Sequence, residues 1–132
     1  MFVSFEGIEG CGKTTQVELL ATFLSQRGIP HLVTREPGGT RLGKLIRKML
    51  LDPANSEMEP LTELFLYAAD RAQHIAQVIR PALEARQWLI CDRFADATTA
   101  YQGYGRGQDL AFIQQLNQWA TQGLWPHLSL LL

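Results

Sequence analysis

The sequence carries almost no net charge: 12 Lys and Arg stand against 13 Asp and Glu, leaving −1. A chain without a basic excess offers no electrostatic footprint for nucleic acid. Only two cysteines occur, Cys11 and Cys91, too few for a disulfide framework and in keeping with a reducing cytoplasm. Cys91 lies in an apolar run and is expected to be inert core; Cys11 reads as a small filler close to a helix start. The three histidines, His31, His74 and His127, have no metal-ligand spacing. No apolar run approaches the ~20 residues that a membrane span needs. The N-terminus has neither a basic leader nor a long apolar stretch, so secretion is not expected. Repeats, low-complexity tracts and linkers are also missing, and 132 residues with 46% hydrophobic content suit one domain around a single core.

What is present is an alternation of strand and helix patterns, the mark of a parallel α/β sheet. Residues 2–6 read as a first strand. Val17, Leu20, Ala21 and Leu24 form an apolar helical stripe that ends at Gly28. A short strand over 31–34 leads to Thr40, a candidate N-cap for a helix expected to bury Leu42, Leu45, Ile46 and Met49. Pro60 can start a long helix to about Arg80, where Pro81 breaks or restarts it. Trp88–Cys91 reads as a buried strand ending at Asp92. A Gly-rich loop is expected over 102–107, then a helix capped by Asp109. The run from His127 to Leu132 begins another apolar strand, and a chain stopping inside such a run reads as the N-terminal part of a longer protein.

The sharpest signal is Gly7-Ile8-Glu9-Gly10-Cys11-Gly12-Lys13-Thr14, which sits between the first strand and the first helix and matches G-x-x-x-x-G-K-[ST]. Glycines let the backbone turn tightly and aim successive N–H groups at one point, making an anion nest at the helix N-terminus. Lys13 supplies a positive charge for the β and γ phosphates, and the Thr14 hydroxyl suits Mg²⁺. Residues 7–15, closing with Thr15, therefore form a candidate ATP-binding loop. Asp92 ends a strand whose carboxyl terminus is where open α/β folds collect ligands, so its carboxylate can hold Mg²⁺ beside Thr14. Arg35, Arg47 and Arg93 are planar donors suited to a second phosphate group. Tyr67 and Arg71 share a helix face at i and i+4, as a plate and an edge contact for a base, and Thr98 and Gln102 repeat that spacing.

Taken in order, Phe5-Glu6-Gly7, Gly12-Lys13-Thr14-Thr15-Gln16, Arg35-Glu36-Pro37-Gly38-Gly39-Thr40, Ala69-Asp70-Arg71-Ala72-Gln73-His74, Asp92-Arg93-Phe94 and Ala100-Tyr101-Gln102-Gly103 resemble the bacterial thymidylate kinases over all 132 residues. The resemblance implies a P-loop NTPase-type parallel sheet with flanking helices, like other nucleoside monophosphate kinases. It implies a single kinase domain over 1–132 that is incomplete at its C-terminal end, without the lid, last strand and helices. It also implies transfer of the γ-phosphoryl of ATP to dTMP, with Mg²⁺, in a cytoplasmic enzyme that is typically a homodimer. Glu9 would approach the acceptor's 3′-hydroxyl. Arg35, Arg47 and Arg93 would surround its phosphate, Tyr67 would stack on thymine, and Arg71, Thr98 and Gln102 would read the base edge. Tyr101 would lie against the sugar and help exclude a ribose. Tyr67 departs from the family, which more often has Phe there. Lys13, Arg93 and Asp92 are the expected catalytic groups, with Thr14, Asp92 and Glu36 as ligands of the metal or its waters. The loop holds no arginine, so the family's transition-state arginine would come from a lid. A nucleotide-binding module without kinase activity, an inactive fragment and another nucleoside monophosphate kinase stand as alternatives.

Overall fold

A computed structural model describes residues 1–132. The strands are β1 (Phe2–Glu6), β2 (His31–Arg35), β3 (Trp88–Asp92) and β4 (Leu128–Leu131), all parallel, in the order β2-β3-β1-β4. Parallel neighbours require crossovers, and helices supply them. They are α1 (Lys13–Gln26), α2 (Arg41–Leu51), α3 (Pro60–His74), α4 (Arg80–Glu84), α5 (Ala95–Thr98) and α6 (Leu110–Thr121). No helix is long and apolar enough to cross a membrane.

All five residues of β1 are buried, as expected for a central parallel strand covered on both faces. Side chains alternate between those faces. Phe2 points into one core with Leu89, Cys91, Phe94, Ile75 and Ile79; Val3 and Phe5 point into the other with Ile90, Val17 and Leu24 of α1. Cys91 is fully buried, and desolvation pushes its thiol pKa well above the ordinary range.

Local signals explain most boundaries. Gly28, at φ +64°, follows the end of α1. Thr40 caps α2 by accepting from the Gly43 N–H at 2.9 Å, and Asp109 caps α6 by accepting from Phe112 N–H at 2.8 Å. Pro60 opens α3.

Three expectations are corrected. On α2 only Ile46 of the four named apolar residues is buried; Leu42, Leu45 and Met49 are exposed, because Gly43, not a leucine, faces Asp70 of α3. The long helix is not α-helical all the way to Arg80: α3 ends at His74, a π-helical stretch, Ile75–Ile79, widens the turn, and α4 then restarts with Pro81 in its first turn, as the proline allows. The expected glycine loop is largely helical, since α5 continues as a π-helical segment Thr99–Gly105. Here Gly103 lets the Leu110 and Ile113 side chains approach; a Cβ at that position would sit 2.6 Å from Leu110. At the far edge, β4 pairs with β1 but leaves all four of its residues exposed.

Candidate active site

The parallel register sets Phe5 of β1 opposite Asp92 of β3, and Arg35 of β2 opposite the same Asp92. The carboxyl ends of three strands therefore open onto one place, where ligands gather in folds of this kind. A cleft of about 400 Å³ lies there, lined by Glu9, Gly10, Gly12, Lys13, Thr14, Thr15, Arg35, Glu36, Arg47, Asp92 and Arg93. Not one lining residue is hydrophobic. Such a surface suits a highly charged ligand rather than an apolar one.

Gly10 and Gly12, at φ +76° and +95°, bend the loop between β1 and α1, a conformation a side chain would strain. The Lys13 ammonium lies across this loop, donating to the carbonyls of Gly7 (2.9 Å) and Ile8 (2.6 Å). It also reaches Cys11 Sγ at 3.6 Å. The cation is thus held at the mouth of the loop, 7% exposed, before any anion arrives. The charge is stored on its own loop, within a side-chain rotation of the cleft. Ile8 is largely exposed at the loop tip.

Arg93 follows β3 with φ +68°, a left-handed backbone in a non-glycine residue. That conformation costs on the order of 1–3 kcal/mol and is commonest where function requires it. It is held by the Arg93 N–H bond to Phe5 carbonyl at 2.9 Å. The result turns the guanidinium toward the cleft and over the Tyr101 ring, 5.6 Å from its centroid. Arg47 is fixed by donation to Pro37 carbonyl at 3.1 Å, with its stem pressed on Gly38.

A second, narrow slot adjoins the cleft and shares Glu36 and Arg93 with it; Tyr67, Arg71, Phe94, Thr98, Tyr101 and Gln102 complete its polar and aromatic lining. All of the residues expected around an acceptor nucleotide therefore meet in two neighbouring cavities. Burial, followed by the nearby Glu63 charge, raises the Tyr67 phenol pKa.

Two expectations change in detail. Both oxygens of Glu36 are already engaged by protein partners. Its Oε2 accepts from Arg71 Nε at 2.8 Å and its Oε1 from His74 Nδ1 at 2.9 Å, and the residue is 4% exposed. Arg71, only 1% exposed, also donates to Asn117 Oδ1, Thr98 Oγ1 and Phe94 carbonyl. It belongs to the buried frame beneath the slot as much as to its surface. His74 Nε2 meets the Thr34 hydroxyl at 2.7 Å, and a Cβ on Gly39 would fall 2.5 Å from that nitrogen. Asp70 completes the frame by accepting from the Gly38 N–H at 3.0 Å. Asp92 and Thr14 fit a hard divalent cation better: Asp92 Oδ1 is buried without a partner, and both residues line the phosphate cleft with oxygen donors.

The residue that the sequence did not flag is Glu6. It is 5% exposed, and neither carboxyl oxygen has a hydrogen-bond partner. Desolvation first, then the Asp96 charge, raises its pKa from 4.5 to about 7. Its place at the end of an apolar strand was the only available signal. A folded-state pKa above the unfolded one means that the native protein holds a proton which the unfolded chain releases. The resulting stabilisation is present below about pH 4.5 and is lost as pH rises through about 7. Urea unfolding is expected to show this contribution falling by roughly 2–3 kcal/mol between ~pH 5 and ~pH 8. In Glu6→Gln that part of the slope vanishes; an unchanged slope would show Glu6 to be ionised in the native protein.

A family profile described as thymidylate kinase matches residues 5–132. The thymidylate kinase of Desulfosudis oleivorans is 58% identical over 131 residues, covering 99% of this chain and 61% of the relative. Those of Geotalea daltonii and Synechococcus sp. are each 60% identical, with this chain spanning 61% and 62% of their lengths. Among solved structures, a thymidylate kinase from Ehrlichia chaffeensis superposes with a TM-score of 0.90 at 41% identity, covering 99% of this chain and 70% of that one. The chain thus spans about three fifths of the length of the curated relatives it matches.

Proposed function

Because this chain belongs to the thymidylate kinase family, we propose that it carries the phosphate-transfer site of a cytoplasmic enzyme that passes the γ-phosphoryl of ATP to dTMP, giving dTDP for dTTP synthesis. The observation that supports this reading best is the composition of the cleft: the phosphate loop together with Arg35, Arg47 and Arg93 lines one cavity, with nothing apolar among them. One anion-binding loop and one separate arginine set suit two phosphorylated ligands held head to head.

The chemistry requires little beyond alignment. The nucleophile is an oxygen of an already ionised phosphate, so no proton has to be removed before attack. Catalysis consists of holding two anions in line and neutralising the charge that develops between them. Residues 7–15 cradle the donor phosphates with backbone N–H groups, and Lys13 exchanges its two carbonyl partners for phosphate oxygens. The three arginines orient the acceptor phosphate, and the Arg93 backbone is tied to β1 through its N–H bond to Phe5. Glu9, exposed on the loop, is the group we assign to the acceptor's 3′-hydroxyl. Tyr67 packs on the thymine, Thr98, Gln102 and Arg71 face its edge, and Tyr101 lies against the sugar. Thr14 and Asp92 would hold Mg²⁺, which when bound supplies positive charge to the β and γ phosphates.

A homodimer fits the exposed apolar side chains of three adjacent helices: Leu42, Leu45 and Met49 on α2, Leu61 and Phe65 on α3, and Phe112 on α6. Phe65 and Phe112 already meet edge to face at 6.3 Å, so the patch is continuous across α3 and α6.

The deciding experiment is a coupled assay of ADP release from ATP with dTMP, dUMP, dGMP or AMP as acceptor. Preference for dTMP is expected. Preference for a purine monophosphate would overturn the thymidylate assignment while leaving the phosphate loop intact.

A further inference from the structure

One side chain outside the assigned site, Glu63, bonds a group within it. Gln102 is 4% exposed on the π-helical segment, and its Nε2 donates to Glu63 Oε1 of α3 at 2.9 Å. The other oxygen, Glu63 Oε2, takes a bond from Arg106 at 3.3 Å. A carboxylate can only accept, so the amide must turn its NH₂ toward Glu63. Its carbonyl Oε1 then faces the other way, takes no bond from the protein, and belongs to a residue lining the narrow slot. Thr98 is fixed in the complementary sense. Its Oγ1 accepts from Arg71 at 3.0 Å, which leaves its own O–H proton to donate.

We propose that Glu63 is a positioning residue that fixes the direction of the Gln102 amide, and so makes the slot choose a pyrimidine bearing an N3–H over one with a bare N3. The inference rests on the thymidylate reading and deepens it. Thymine and uracil present N3–H, a donor that meets the Gln102 carbonyl. Cytosine presents a lone pair at N3, which would oppose that carbonyl lone pair to lone pair. A site built to bond a ligand group rejects the analogue that leaves its buried polar atoms unmatched. Free to rotate, the amide would offer NH₂ to cytosine and CO to thymine at nearly equal cost. Specificity at the base therefore depends on a carboxylate that never touches the base.

Glu63→Gln preserves the shape of α3 but replaces an acceptor-only group with one that both donates and accepts, so Gln102 can adopt either direction. Titration calorimetry of dTMP and of dCMP into the protein, its Glu63→Gln and Gln102→Ala variants and the double variant tests the idea. The dTMP-to-dCMP affinity ratio is expected to fall roughly tenfold in Glu63→Gln. Adding Glu63→Gln to Gln102→Ala is expected to change the ratio no further. A purely structural role would weaken both nucleotides together and leave the ratio unchanged, which overturns the inference. If the unsubstituted protein itself shows no preference for dTMP over dCMP, the thymidylate reading fails and the inference with it.

Discussion

Replacing Lys13 with alanine is expected to lower ADP release from ATP and dTMP by about 10³-fold or more, with the fold retained. The size follows from what the ammonium does. It is a positive charge in a cleft without apolar lining, on the loop proposed to cradle the donor phosphates, and removing a group of that kind costs on the order of 10²–10³ in turnover, with charges that act in the transition state reaching 10³–10⁵. The fold should survive because the side chain packs on its own loop, not on either core: its partners are the carbonyls of Gly7 and Ile8 and the thiol of Cys11. Circular dichroism of the variant should therefore overlay that of the parent. Near-normal turnover would sink the role assigned to the phosphate loop.

A stability loss of about 3–5 kcal/mol is expected for Arg71→Leu, the range found when one member of a buried, hydrogen-bonded ion pair is removed. Arg71 is almost fully buried and donates to Glu36, Asn117, Thr98 and the Phe94 carbonyl, joining α3 to the β2 end, α5 and α6. Leucine would leave Glu36 with only His74 and would strand the Asn117 carbonyl oxygen. Urea midpoints are the measure; with a slope of about 1–3 kcal/mol per molar, the shift is expected to exceed ~1 M. Arg71→Lys is not expected to rescue it, because one ammonium cannot reproduce a planar fork that reaches four acceptors. A loss below about 1 kcal/mol for Arg71→Leu would show that the network closes without its guanidinium.

Much of the site could be read from the chain because its parts are contiguous. The phosphate loop is eight successive residues, and Arg35, Asp92 and Arg93 stand where apolar strands run out, which fixes them at one end of the sheet. Thr40 and Asp109 announced their helices because a cap acts on the next turn. The missed parts depend on partners remote in sequence. Nothing near Glu36 indicates that His74 and Arg71 will take both its oxygens, and nothing near Gln102 points to Glu63. The α2 stripe was misjudged for a different reason. Periodicity finds an apolar face, but not what covers it, and here Gly43 makes the close approach to α3 while Leu42, Leu45 and Met49 stay uncovered. Glu6 differs because a terminal carboxyl on a strand normally marks solvent, whereas here the fold buries it beside segments remote in sequence, Asp96–Tyr101 and Leu131–Leu132.

The strand order has a temporal meaning. The strand that carries the phosphate loop is the first to be made, yet Phe2 is matched with Leu89 and Val3 with Leu128. Until β3 has been synthesised, β1 has no neighbour in the sheet. At ~5–20 residues per second, that is a wait of roughly 4–17 s on a ribosome. Both of its pairings also close long loops, the kind of contact that slows folding. The earliest strand of this chain is thus among the last of its strands to find a neighbour, and the phosphate loop it carries is anchored in the sheet only after β3 is in place.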